Sequence, residues 1–501
     1  MGKVIEVVDL LIIGGGVNGA GIARDAAGRG LSVVLCEQGD LASGTSSAAT
    51  KLFHGGLRYL EQYAFGLVRK ALREREVLLR NMPHISKPMR FVLPHAKGMR
   101  PAWLLRAGLF LYDHLASRGG LPATKALNLR NDIAGGPLKA GFVKAFEYSD
   151  GWVDDARLVV LNARDAADRG ARIMTQTKVV SAQRSNGVWQ VETQTGDGER
   201  QAHRAKTLVN AGGPWVNIVI EDAIGIKPDE PIRLVRGSHI VTKKLYEHDR
   251  AYFFQNADGR VMMTIPYEED FTIIGTTDMD HKGDPGDAYC TDEEIDYLCR
   301  GASEYFTQPI MPSDVIWTYS GVRPLDDEME GDASKASRDY HIKVEDQNGK
   351  LPLISIYGGK ITTFRILAEQ AVAELAPYVE LTGLPWTDHT PLPGGDFEYA
   401  SKVKLVEDLQ AQFPFVEPRD ARRMIAAYGA LASKVMAGTK SQADLGQDFG
   451  AGLYEIEIRW LIEQEWAKCA DDVVWRRTKC GLRMSLAQIA ALETWMKGAI
   501  T

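Results

Sequence analysis

Leu10, Leu11, Ile12 and Ile13 form an unbroken apolar run, the pattern of a strand buried on both faces. A glycine cluster follows. Ile22, Ala23, Ala26 and Ala27 then recur at helical spacing through residues 20–29, and Gly30 stops that helix. A second strand is predicted at 32–37, which completes a β-α-β unit in about 30 residues. Residues 67–125 are basic and mixed. A helix is predicted at 155–169, then short strands at 177–183, 188–193 and 207–211, with Asn186-Gly187 as a hairpin signal. Apolar segments at 238–241, 261–265 and 271–275 predict an antiparallel sheet inserted into, or packed beside, the first unit. A strand at 353–357, the turn Gly358-Gly359 and a helix at 362–375 come late. Pro385, Pro391, Pro393 and Gly394 mark 377–395 as a linker. Beyond it the pattern turns helical at 402–413, 419–428 and 454–467, so 396–501 reads as a small all-α domain.

Composition narrows the class. With 59 basic and 66 acidic residues the net charge is −7, which argues against a global nucleic-acid binder. A hydrophobic fraction of 45% and a charged fraction of 25% exclude disordered and collagen-like chains. None of the five cysteines forms a Cys-x-x-Cys pair, so no metal site is expected, and the sparse, odd count fits a reducing compartment. Lys3, Glu6 and Asp9 interrupt the first apolar run, so no secretory leader is expected. No stretch of roughly 18 apolar residues predicts a membrane-spanning helix.

The first chemistry-bearing motif is Gly14-Gly15-Gly16-Val17-Asn18-Gly19, a G-x-G-x-x-G. It follows a strand and opens a helix, and Glu37 ends the second strand eighteen residues after Gly19. Gly14 permits the tight turn, Gly16 lets backbone approach a pyrophosphate, and Gly19 lets helix and strand pack closely. The helix N-terminus offers unpaired N–H groups and partial positive charge to an anion. Glu37 suits a ribose diol and would repel a 2′-phosphate. The unit alone does not decide between FAD and NAD.

The decisive segments lie further on: SGTSSAATKLFHGGLRYL at 43–60, NAGGPW at 210–215, GTTD at 275–278, TYSGVRPL at 318–325 and YGGKITTFR at 357–365. Taken together and in order, they closely resemble the FAD-dependent glycerol-3-phosphate dehydrogenases of respiratory chains, over essentially the whole chain. The resemblance implies an α/β fold with a Rossmann-like FAD-binding domain of the glutathione-reductase/glycine-oxidase type, an antiparallel-sheet substrate domain and the small all-α C-terminal domain. The FAD domain is expected at 1–85, 145–235 and 320–376, and the substrate-binding, membrane-facing domain at 86–144 and 236–319. The implied reaction oxidises sn-glycerol 3-phosphate to dihydroxyacetone phosphate, with electrons passing through FAD to a membrane quinone.

The resemblance also implies residue roles. Thr45, Ser46 and Ser47 are small hydroxyls suited to a diphosphate. Val179 matches a strand position whose backbone meets the adenine, and Gly212 a second close approach to FAD. Gly359, Lys360 and Thr362 precede a helix whose N–H groups would face the flavin N1/O2 edge. Arg323 and Arg338 match positions that meet the substrate anion, and two guanidinium forks suit a phosphate. Arg58, Tyr59 and Lys360 complete the expected substrate contacts. The C2 hydroxyl must lose a proton as its hydride leaves for flavin N5. His54 and His239 are both candidates for the base, with Arg323 and Lys360 as charged neighbours. No cysteine lies in the flavin motifs, so the FAD is expected to be non-covalent.

Residues 100–118 carry Trp103, Leu104, Leu105, Leu109, Phe110, Leu111 and Leu115 among Arg100, Arg106 and Arg118. That mixture suits a helix lying in a membrane interface, and equally a core helix by pattern alone. The family's habit favours a peripheral protein on the cytoplasmic side of the inner membrane. The rival readings are a glycerol-3-phosphate oxidase making hydrogen peroxide, an amino-acid oxidase-like flavoenzyme, a non-catalytic flavin carrier and an NAD enzyme. A homodimer through the C-terminal segment is left open.

Overall fold

The computed structural model describes residues 6–96, 100–256, 258–326 and 339–500. Two large sheets organise the chain. The first has a parallel centre in which Val7–Ile13 lies between Val33–Cys36 and Arg200–Asn210, and Arg172–Met174 and Leu353–Tyr357 extend it on either side. Alternate side chains of the opening strand face opposite layers, as the period of a strand requires. Leu10 and Ile12 pack under the helices Val17–Gly28, Asp155–Asp168 and Phe364–Leu375. Leu11 and Ile13 pack toward Val179, Trp189 and Val191 of an antiparallel meander, Thr177–Ser185 and Val188–Thr195. All four are buried, which explains the unbroken apolar run, and full burial of such a side chain stabilises the fold by roughly 1.5–3 kcal/mol.

The second sheet is antiparallel except where Ala251–Gln255 runs parallel to Ser86–His95. Its longest pairing joins Ile232–Lys243 to Val315–Asp326. Both strands lie wholly in this sheet, although the boundaries read from the sequence, 235/236 and 319/320, fall within them. Lys144–Val153 and the short Leu52–Phe53 also pair here rather than in the first sheet. A strand edge is set by its pairing partner, which local composition does not carry. Helix Phe65–Asn81, inside the segment that looked merely basic and mixed, buries Val68, Ala71, Leu72 and Leu78 on one face.

The C-terminal helices Lys402–Gln412, Pro418–Tyr428 and Glu455–Glu465 enclose their own core with Leu486–Ile500, a helix the sequence pattern did not separate. Arg157, on helix Asp155–Asp168, docks this domain through a buried pair with Glu465 and bonds to the Ala427 carbonyl. Among the described residues no helix is long and apolar enough to cross a membrane.

Candidate active site

The order of strands switches between Val7–Ile13 and Arg200–Asn210, which run parallel, and ligands of open α/β sheets bind beyond the carboxyl ends of such strands. A cavity of about 810 Å³ lies there. Gly14 holds a φ of 109°, and a Cβ on it would come within 2.5 Å of the Ala211 carbonyl oxygen. Only glycine lets the two strand ends, one carrying Gly14 and the other Gly212, meet so closely. Gly16 caps the helix that begins at Val17, and the Val17 N–H donates to Ser46 Oγ at 2.9 Å. The Glu37 carboxylate accepts from Gly15 N at 2.6 Å and Gly39 N at 2.7 Å. Burial pushes its pKa up, and those two N–H groups oppose the shift. Each oxygen keeps acceptor capacity for a diol.

Gly14, Gly16, Asn18, Glu37, Thr45, Ser46, Val179, Gly212 and Gly359 all line the cavity. Gly19, Ser47 and Thr362 stand behind its wall. Gly19 packs against the Gly14 carbonyl. The Ser47 carbonyl accepts from Lys51 Nζ at 2.9 Å, and Thr362 Oγ1 accepts from the His54 N–H at 3.2 Å. Thr45 Oγ1 donates to the Val322 carbonyl at 2.5 Å, which ties the loop to the second sheet. Gly359, with a φ of 108°, brings the late loop against Asn18, whose Nδ2 donates to the Gly358 carbonyl at 3.3 Å. Asn18 Oδ1 is buried without a partner among the described residues.

At the other end of the cavity the walls carry His54, Tyr59, His239, Arg323 and Lys360. Arg323 pairs with Asp278 at 2.7 Å and donates to the Thr277 carbonyl at 3.1 Å. Lys360 Nζ lies 3.8 Å from the centre of the Tyr59 ring, a cation–π contact. His239 stacks on Tyr319 with ring centres 4.7 Å apart, and its Nε2 bonds to Thr50 Oγ1 at 3.0 Å. Burial, with the charges of Lys51 and Arg323 adding to it, pushes its pKa down to about 3. Arg58 lies in the turn Leu57–Gln62, and its side chain lies outside the described residues, as does all of Arg338.

Sequence reasoning passed over several groups that shape the site. Lys51, fully buried, pairs with Asp155 at 2.6 Å and faces the Tyr319 ring. Tyr112, reaching in from helix Ala102–His114, accepts from the Gly55 N–H at 2.8 Å and donates to Asp150, which also holds Arg75. Lys51 and Gly55 lie within the ATKLFHGG string. Their partners lie about 100 residues away for Lys51 and nearly 60 for Gly55, so no local spacing reveals them.

A glycine-lined crevice at a strand switch point, an acidic strand end and a helix N-terminus together define a dinucleotide-dependent oxidoreductase. The chain belongs to the FAD dependent oxidoreductase family, whose profile matches residues 9–363. Residues 385–497 match the C-terminal domain of alpha-glycerophosphate oxidase. The chain is 48% identical to glycerol-3-phosphate dehydrogenase of Pseudomonas aeruginosa, over 98% of this chain and 95% of that one. It is also 48% identical to D-erythritol 1-phosphate dehydrogenase of Brucella abortus, over 99% and 98%. The crystal structure of glycerol-3-phosphate dehydrogenase from Bacillus halodurans complexed with FAD superposes with a TM-score of 0.75 at 26% identity, covering 99% of this chain and 94% of that one. FAD is therefore the cofactor. The glycine contact at Gly14, the unpaired Asn18 Oδ1 and the half-satisfied Glu37 fit it, and the cavity volume lies within the roughly 300–1,000 Å³ of small-molecule sites.

Proposed function

We propose that this chain oxidises the secondary hydroxyl of sn-glycerol 3-phosphate to the ketone of dihydroxyacetone phosphate and delivers the electrons to a membrane quinone. The observation that carries the reading is one cavity with a dinucleotide cradle at one end and Arg323, Lys360 and two histidines at the other. FAD, when bound, accepts the C2 hydride at N5. Arg323 and Lys360 hold the phosphate, with Arg58, Tyr59 and Arg338 as further contacts. A half-buried guanidinium and ammonium supply charge-assisted donors that an uncharged polyol cannot use as well. His54 takes the hydroxyl proton. It is half-buried and lines the cavity, whereas a His239 pKa near 3 makes that residue a weak base at neutral pH. His239 then orients the hydroxyl as a neutral imidazole.

Helix Ala102–His114 buries Leu109 and Tyr112 and exposes Trp103, Leu104, Phe110 and Leu111. This exposed apolar face, beside Arg100 and Arg106, supports lateral contact with a lipid surface on the cytoplasmic side of the inner membrane. The Brucella relative supports a second reading, a longer polyol phosphate with the same phosphate-plus-hydroxyl core. Initial rates of quinone-analogue reduction with sn-glycerol 3-phosphate, D-erythritol 1-phosphate and glycerol separate the cases. The first should have the highest kcat/KM and glycerol almost none. A preference for the C4 ester would replace the substrate, and equal rates with glycerol would remove the phosphate site. Oxygen consumption with peroxide release in place of quinone reduction would make the protein an oxidase.

A further inference from the structure

Among the described residues the C-terminal domain supplies none to the lining of the cavity, yet one short stretch of it grips the FAD-binding loop at Asp40 and two residues, Asp154 and Trp317, whose neighbours hold that loop. Residues 38–51 link Glu37 to the hydroxyl run Thr45–Ser47 and to His54. Asp40 in this loop is buried, and Arg477 grips it with both nitrogens, Nη1 to Oδ2 at 2.7 Å and Nη2 to Oδ1 at 2.8 Å. Arg476 Nε adds a bond to Asp40 Oδ2 at 2.6 Å. Lys479 Nζ bonds to Asp154 at 3.1 Å. The next residue, Asp155, accepts from the Ala49 N–H at 3.1 Å and holds Lys51, which donates to the Ser47 carbonyl. Trp475 stacks on Trp317, ring centres 4.6 Å apart and ring planes nearly parallel. Trp317 adjoins Tyr319, whose hydroxyl bonds to the Ala49 carbonyl and whose ring carries His239.

We propose that residues 475–479 are positioning residues for the cofactor, a clamp that holds the loop 38–51 in its FAD-binding shape and sets the His239–Tyr319 stack. The reason is geometric. A domain fastened only for stability needs no ion pair on this loop, and Arg157–Glu465 already fastens it. The clamp instead puts Arg476 and Arg477 on the loop itself, Trp475 on the Trp317 ring that adjoins the loop's partner Tyr319, and Lys479 on Asp154, next to the Asp155 that holds Ala49 and Lys51. Bidentate arginine fixes direction as well as distance, so Asp40 cannot swing while Arg477 is in place. Small misplacements in a binding loop cost much in affinity and rate. The inference rests on the FAD reading of the cavity.

The test uses the full-length holoenzyme and the variants R476Q and W475L, with R422Q as a control. Arg422 pairs with Glu269 on the surface of the same domain interface, away from the loop. FAD dissociation is read from the flavin released on ultrafiltration, and folding from the melting temperature of each flavin-free protein. R476Q and W475L should each raise the FAD dissociation constant about 10-fold or more, equivalent to about 1.4 kcal/mol. Their flavin-free proteins should melt within a few degrees of the parent, and R422Q should keep parental FAD affinity. Parental FAD affinity in both clamp variants overturns the proposal. So does equal FAD loss in R422Q, or a melting temperature that falls in step with the FAD loss. A parent protein that binds no FAD at all would instead overturn the cofactor reading.

Discussion

Arg323 and His239 sit on adjacent strands and illustrate how single residues divide the work. Arg323 is held by Asp278 and the Thr277 carbonyl, so its guanidinium is aimed before any anion arrives. Replacing it with alanine should lower kcat/KM for sn-glycerol 3-phosphate by about 1.5–3 kcal/mol, roughly 10- to 150-fold, mostly through KM. Unchanged KM would remove Arg323 from the phosphate site. His239 predicts a pH dependence with a definite sign. Its pKa in the fold is about 3 and its ordinary value 6.5, so below pH 6.5 the unfolded chain binds a proton that the folded chain does not. The stability it supports is present above pH 6.5 and is lost as pH falls toward 3. Buried His84, also pushed down by burial, acts in the same direction. The melting temperature should fall steadily below pH 6.5, and H239N should flatten part of that slope. A parallel curve for H239N would show that His239 is not buried neutral. Both residues were readable as site candidates, Arg323 because it stands inside TYSGVRPL and His239 because Gly237-Ser238-His239 matches a motif of the family that the chain resembles. Lys51 and Asp155 were not, because a buried pair 104 residues apart leaves no mark at either position.

The strand–turn–helix unit at the N-terminus was the easiest element to read, since its apolar run, glycines and terminal acid are all local. Helix Ala102–His114 was ambiguous for the opposite reason. Its apolar residues surround the axis, and only the fold shows that Leu109 and Tyr112 point inward while Trp103 and Phe110 are 71% and 63% exposed. Tyr112 makes this helix more than a surface feature, since its hydroxyl joins Gly55 of the His54 loop to Asp150. Y112F should destabilise the fold by about 1–3 kcal/mol by leaving Gly55 N–H and Asp150 under-bonded. It should lower kcat more than it raises KM, because the loop carries His54 while Arg323 and Lys360, the main phosphate contacts, lie on other segments. Wild-type denaturation and kinetics would place the tyrosine outside the site's support. At the same scale, changing Trp103 and Phe110 to serine should abolish binding to anionic vesicles in a flotation assay while leaving turnover of a soluble quinone analogue intact. Full retention on vesicles would move the membrane contact elsewhere.

Across the whole molecule, two sheets meet at one crevice and a third body braces it from behind. The parallel sheet supplies the cradle and, just after Leu353–Tyr357, Lys360, and the antiparallel sheet supplies Arg323 and His239. The helical domain braces the loop between them through Arg476 and Arg477, and Lys479 holds Asp154 beside the Asp155 that meets the loop. The class of fold was legible in the order of its motifs, since a glycine-rich β-α-β unit first and YGGK last require a chain that leaves the FAD domain and returns. The seams were not, because Ile232–Lys243 and Val315–Asp326 take their sheet from each other rather than from their own composition. The bracing was also hidden, since Trp475, Arg476, Arg477 and Lys479 form an ordinary polar stretch until Asp40, Asp154 and Trp317 are brought against it. The most direct test of the account is the flavin absorbance of the purified protein under strict exclusion of oxygen. Addition of sn-glycerol 3-phosphate should bleach the band, and a quinone analogue should then restore it. A band that stays unbleached with FAD demonstrably bound would contradict the substrate assignment, and one that bleaches but recovers only with oxygen would contradict the quinone.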